Sequence, residues 1–130
     1  MTMTSWILAV LALFFVQTYL PSMARAASGD PEQLKFIRGN RDVRPDPTVI
    51  SGRLDRALRN MFEALPVFLT LAFLAEIQGI AEGWPLIGAA IFFIARVAYV
   101  PAYVTGIPLL RSAVWTVGHG GLVMMVVGVL

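Results

Sequence analysis

Four apolar runs divide this chain, and only one polar stretch, residues 25–52, separates any two of them by more than a short turn. The first runs from Trp6 to Leu20 and extends through Pro21, Ser22 and Met23, with Gln17 as its strongly polar interruption. The second begins charged and amphipathic near residue 53 and becomes wholly apolar from Val67 to Ala75. The third and fourth start at Pro85 and at Leu109. A helix needs about 20 apolar residues to cross the hydrocarbon of a bilayer, and each run meets or approaches that length. With 58% hydrophobic and 14% charged residues, the chain lacks the polar side chains that a soluble domain of 130 residues needs to cover its core.

The expected architecture is an all-α integral membrane protein, a single four-helix transmembrane domain over 1–130. Its helices are placed at about 5–24, 53–78, 85–105 and 109–130, with a polar loop at 25–52. Pro31 to Arg38 reads as an extension of the first helix or as a short surface turn, and Ser51 as a cap for the second helix. Two tight turns and one longer loop predict an up-down-up-down bundle. The first run is read as a retained helix and not a cleaved signal. No basic residue precedes Trp6, and the run is long for a signal core.

Charge sets the orientation. Arg25, Lys35, Arg38, Arg41, Arg44, Arg53, Arg56 and Arg59 fill the first connection and its borders, and Arg96 and Arg111 flank the last. The positive-inside rule then predicts a cell inner membrane protein with the 25–52 loop cytoplasmic and the termini periplasmic. No nucleic-acid partner is expected, because Asp30, Glu32, Asp42, Asp46 and Asp55 intersperse the arginines without aromatic interleaving. With no cysteine, disulfides, a thiolate nucleophile and thiolate-bound metals are excluded. With one histidine, His119, a histidine-rich metal centre is excluded too, and no metal is expected.

Three sets of residues carry candidate chemistry. Arg56, Asn60 and Glu63, spaced i, i+4, i+7, share one face of the second helix. They are either clamps between helices or part of a ligand site, since a charged face entering a membrane must meet protein, water or ligand. Arg96, Tyr99 and Tyr103, spaced i, i+3, i+7, form a stripe on the third helix; the tyrosines alone also suit an interfacial belt. Arg96 needs a partner, and Glu63 is the expected one. Arg111 either snorkels into the headgroups or points inward to hold an anion. His119, beside Gly118, Gly120 and Gly121, reads as a packing residue in a close helix contact. Asp55 reads as the loop-side partner of a nearby arginine, and Glu76 and Glu82 as structural groups at the other face.

The segment Arg56-Ala57-Leu58-Arg59-Asn60-Met61-Phe62-Glu63-Ala64-Leu65-Pro66 resembles the second-helix signature of the MAPEG family, the membrane-associated proteins in eicosanoid and glutathione metabolism. That signature is an Arg-Ala pair, Asn four residues after the Arg, Glu three further on, then Pro. Arg96-Val97-Ala98-Tyr99 with Pro101 and Tyr103 looks like the family's third-helix stripe, and Gly106-Ile107-Pro108-Leu109-Leu110-Arg111-Ser112 like its link into the fourth helix. The resemblance is to a bacterial-type member and covers most of the chain from Arg53 onward.

The resemblance implies a homotrimer binding glutathione between subunits. Arg56, Asn60, Glu63, Arg96, Tyr99 and Tyr103 would hold the cofactor, and Arg111 would be the catalytic arginine facing its thiol. It implies a glutathione-dependent transferase or peroxidase acting on a lipophilic electrophile drawn from the lipid. Ala64 departs from the tyrosine of some conjugating members. The competing expectation is a non-catalytic accessory or structural subunit of a larger membrane complex. A channel role is the weakest reading, because Glu63 alone does not make a proton relay.

Overall fold

The computed structural model describes residues 1–130. It contains α1 (Met3–Ala27), α2 (Pro31–Arg38), α3 (Val49–Ile77), α4 (Trp84–Thr105) and α5 (Pro108–Val129). All but α2 are long and apolar enough to cross a membrane, and the protein is an all-α, multi-pass membrane protein.

Side chains at the breaks set the helix ends. Thr2 accepts from the Ser5 amide and Thr48 from the Ser51 amide, so α3 starts directly after Pro47, capped by Thr48 and not by Ser51. Residues 31–38 are neither a continuation of α1 nor a bare turn. Asp30 caps them through the Glu32 amide at 3.0 Å, Pro31 opens the first turn, and Lys35 and Arg38 sit in the last, where cations suit the carbonyl end of the dipole. At the α4–α5 link, Gly106 takes φ 74°, a left-handed C-cap that favours glycine. Pro108 then opens α5.

The spanning helices run antiparallel in sequence order. Thr4 meets Glu76 at 2.8 Å while Phe14 meets Phe62 edge-on at 4.9 Å, which fixes α1 against α3. Arg53 donates to the Val104 carbonyl at 2.7 Å, holding the start of α3 against the carbonyl end of α4. The α4–α5 pair packs backbone to backbone. A Cβ on Gly121 would lie 2.6 Å from the Gly88 carbonyl oxygen and 2.9 Å from the Phe92 amide, so only a residue without a side chain permits this approach.

The core is one cluster, including Met3, Ile7 and Val10 of α1, Met61, Phe68 and Leu71 of α3, Phe92 of α4, and Leu122 and Met125 of α5. Phe68 and Phe92 stack at its centre, 4.8 Å apart. Only 29 of 130 residues are buried, and Phe15, Phe73, Ile77, Ile94 and Val123 remain exposed. Such a surface suits lipid or neighbouring chains, which need no polar covering.

Candidate functional site

The site forms where the N-terminal half of α3, the C-terminal half of α4 and the first turns of α5 meet. The i, i+4, i+7 spacing on α3 carries Arg56, Asn60 and Glu63, the stripe on α4 carries Arg96, Tyr99 and Tyr103, and Arg111 occupies the first turn of α5.

Arg96 is 2% exposed, and its Nη1 donates to Asn60 Oδ1 at 2.7 Å. Its Cζ lies 4.3 Å from the Tyr99 ring centre, a cation–π contact. Its Nε and Nη2 are buried and have no partner within the chain. Tyr99 meets Tyr103 edge-on at 5.6 Å. Tyr103 in turn lies between two arginines. Arg56 Nε donates to its hydroxyl at 3.2 Å with Cζ 5.8 Å from the ring, and Arg111 Cζ stands 5.0 Å from the same ring. Arg111 therefore turns inward over Tyr103. Six of the seven expected residues form one connected group: Arg56, Asn60, Arg96, Tyr99, Tyr103 and Arg111.

Glu63 is the exception. The expected Glu63–Arg96 ion pair does not form, and Arg44–Asp55, at 2.8 Å, is the single salt bridge of the chain. The reason is helical phase. Three residues beyond Asn60, Glu63 is rotated about 60° around α3, which leaves it on the exposed face while the Asn60 amide oxygen takes the Arg96 donor. Asp55 does pair with a loop arginine, as its position suggested.

Two clefts open on this region. A polar one of about 330 Å³ is lined by Asn60, Tyr99, Tyr103, Arg111, Ser112, Trp115 and Thr116. An apolar one of about 300 Å³ lies beside it, with Glu63, Val67, His119, Leu122, Val123 and Val126 among its walls. Asn60 and Trp115 line both. The polar cleft carries cationic and hydrogen-bonding groups and no carboxylate, so it can hold an anion or a thiolate. No group of His, Cys, Asp and Glu side chains stands close enough together to bind a metal ion.

Sequence reasoning passed over Trp115, Ser112 and Thr116. The signal for Trp115 was present: Arg111, Trp115 and His119 are spaced i, i+4, i+8, one stripe on α5. It also passed over the seam at the base of α1. There Arg25, 4% exposed, donates to Gln33 and lies 4.9 Å from the Phe36 ring, while Gln33 donates to the Asp46 carbonyl. This ties α2 and the following loop to the end of α1.

No curated protein matches the chain. The model of the MAPEG family, however, matches residues 3–130, nearly the whole chain and all four spanning helices, and the protein belongs to that family.

Proposed function

We infer that this protein is a bacterial-type MAPEG enzyme, a glutathione-dependent transferase or peroxidase that acts on a lipophilic electrophile as a homotrimer in the cell inner membrane. The family is associated with glutathione-linked chemistry and with oligomeric membrane assemblies. The observation that carries the reading is the convergence of Arg56 and Arg111 on Tyr103 beside a polar cleft without a carboxylate.

The residues fit glutathione. Its two carboxylates match the guanidinium groups of Arg56 and Arg111. Its amino group matches Glu63, which has no cation of its own within the chain. The chain has no cysteine, so glutathione supplies the reactive sulfur. Arg111 stabilises negative charge at that sulfur, which favours the nucleophilic thiolate over the thiol. Arg56 and Asn60 orient the peptide part, and Tyr103 keeps the two guanidinium groups apart. One such seam is small for a tripeptide, and an adjoining chain in the trimer completes it. The loop of residues 25–52 faces the cytoplasm and the termini face the periplasm, on the arginine distribution.

Titration of the purified, detergent-solubilised protein with glutathione in a calorimeter tests this. Saturable binding by a folded trimer is the expected result. A folded preparation that takes up no heat from glutathione defeats the enzyme reading and leaves the accessory-subunit role.

A further inference from the structure

Glu63 is the central residue of α3, and His119 lies at the middle of α5. Both line the apolar cleft, so two polar groups stand at the mid-depth of the span among Val67, Leu122, Val123 and Val126. An acid without a partner at that depth is costly and marks a place where something else must bind.

The hydrogen-bonding roles in the cleft are fixed by their neighbours. His119 Nδ1 lies 3.0 Å from the Trp115 carbonyl, which only accepts, so Nδ1 carries the hydrogen. The neutral ring then presents Nε2 as an acceptor. Stacking on Trp115, 3.8 Å between ring centres, holds the ring in place. Asn60 gives its oxygen to Arg96, which only donates, and so keeps its amide N–H groups for the cleft. The cleft thus offers a carboxylate and an imidazole nitrogen as acceptors and an amide as donor. A hydroxyl, which has one hydrogen, donates it to His119 Nε2 and accepts from the Asn60 amide, while Glu63 is left to the amino group of glutathione. A fatty carboxylate would face Glu63 with like charge.

Arg111 and His119 are eight residues apart on one helix face, about 12 Å at 1.5 Å per residue. Trp115, between them, lines both clefts. We propose that the apolar cleft selects an uncharged lipophilic substrate carrying a hydroxyl two helical turns from its reactive centre, which donates to His119 Nε2 and accepts from the Asn60 amide, and that it rejects fatty carboxylates. The placement of the reactive end rests on the glutathione reading above; the recognition of the hydroxyl rests on this cleft alone. In hydrocarbon a hydroxyl has no other partner, so the hydrogen bonds gained here are not offset by bonds lost to water.

The test uses the trimer reconstituted in phosphatidylcholine bilayers without glutathione, with Trp6→Phe and Trp84→Phe so that Trp115 is the sole fluorophore. An ω-bromo long-chain alcohol, the matching ω-bromo carboxylate and the bromoalkane are compared as quenchers. The alcohol is expected to quench saturably, at about tenfold lower membrane concentration than the carboxylate, the scale of one or two buried hydrogen bonds. His119→Phe, which keeps the stack and removes Nε2, abolishes the advantage of the alcohol over the bromoalkane, and His119→Gln, which keeps an acceptor, restores part of it. Glu63→Gln narrows the gap between alcohol and carboxylate. Equal quenching by all three probes in the wild type, or an unchanged alcohol response in a folded His119→Phe protein, overturns the proposal. Glutathione titration of the same preparations is a separate readout, so loss of either reading is seen without the other.

Discussion

Arg96 donates to the side-chain oxygen of Asn60, 2.7 Å away, and not to Glu63. A neutral amide thus holds a buried guanidinium inside the bundle, and the nearest acid of the same helix face is left free on the outside. The spacing of polar residues along α3 therefore divides the labour: Asn60 ties α3 to α4, and Glu63 remains available to a ligand or a neighbouring chain.

The Asn60–Arg96 bond makes Asn60 a stability determinant. Asn60→Ala removes the acceptor and leaves a third nitrogen of Arg96 without a partner, beyond Nε and Nη2. The expected loss is about 2–3 kcal/mol, the cost of an unmet bond to a buried charged group. Asn60→Asp keeps an acceptor in place and is expected to lose less. Unfolding in mixed micelles measures both, and an Asn60→Ala protein as stable as the wild type would contradict the assignment.

The α4–α5 contact predicts a pair of glycine substitutions with different outcomes. At Gly121 a methyl group meets backbone atoms of Gly88 and Phe92, which move only with the helix, so Gly121→Ala is expected to cost about 1–3 kcal/mol through overpacking. At Gly120 nothing lies within 4 Å of the added Cβ. Gly120→Ala is expected to be neutral or to stabilise by up to about 1 kcal/mol, from helix propensity. Thermal unfolding of the two variants side by side checks this, and equal effects would place the contact elsewhere.

Most of the architecture was legible because the apolar runs, the proline and glycine breaks and the capping chemistry agree along the chain. The departures have local causes. Periodicity could not separate α2 from α1, since the boundary lies in one Asp-Pro pair, Asp30 and Pro31, which works as cap and first turn together. The start of α3 was misjudged by one turn because Ser51 is a donor to Thr48, and its presence suggested a cap of its own. For the site, spacing revealed which residues share a face and left open how far each face turns toward its neighbour. That rotation gave Arg96 to Asn60 and left Glu63 in the apolar cleft beside His119.

The placement of eight of the ten basic residues between Arg25 and Arg59 predicts a topology. Reporter fusions are expected to show a cytoplasmic signal in the 25–52 loop and a periplasmic one at Leu130. A periplasmic signal from the loop together with a cytoplasmic one at Leu130 would invert the protein and place the arginine cluster on the wrong side for cytoplasmic glutathione.

Arg111 and Arg56 flank the same tyrosine, and their substitutions should nonetheless separate in kinetics. Arg111 opens α5 and faces the polar cleft next to Ser112 and Trp115, and the proposed function gives it the charge on the glutathione sulfur. Its interaction matters most once the thiolate has formed. Arg111→Ala is expected to lower kcat for conjugation of an aryl halide by about tenfold or more, the scale for loss of an electrostatic donor at a reacting atom. Glutathione affinity should change less. Arg56 contacts Tyr103 from the α3 side, and the proposed function gives it the peptide part of glutathione, whose binding is alike in the ground and transition states. Arg56→Ala should raise KM for glutathione with kcat little altered. Steady-state kinetics of the purified protein with both variants decides the matter. A reversal, with Arg56→Ala losing kcat and Arg111→Ala losing only affinity, would exchange the roles of the two arginines, and equal losses in both parameters would mean that Tyr103 couples them as one unit.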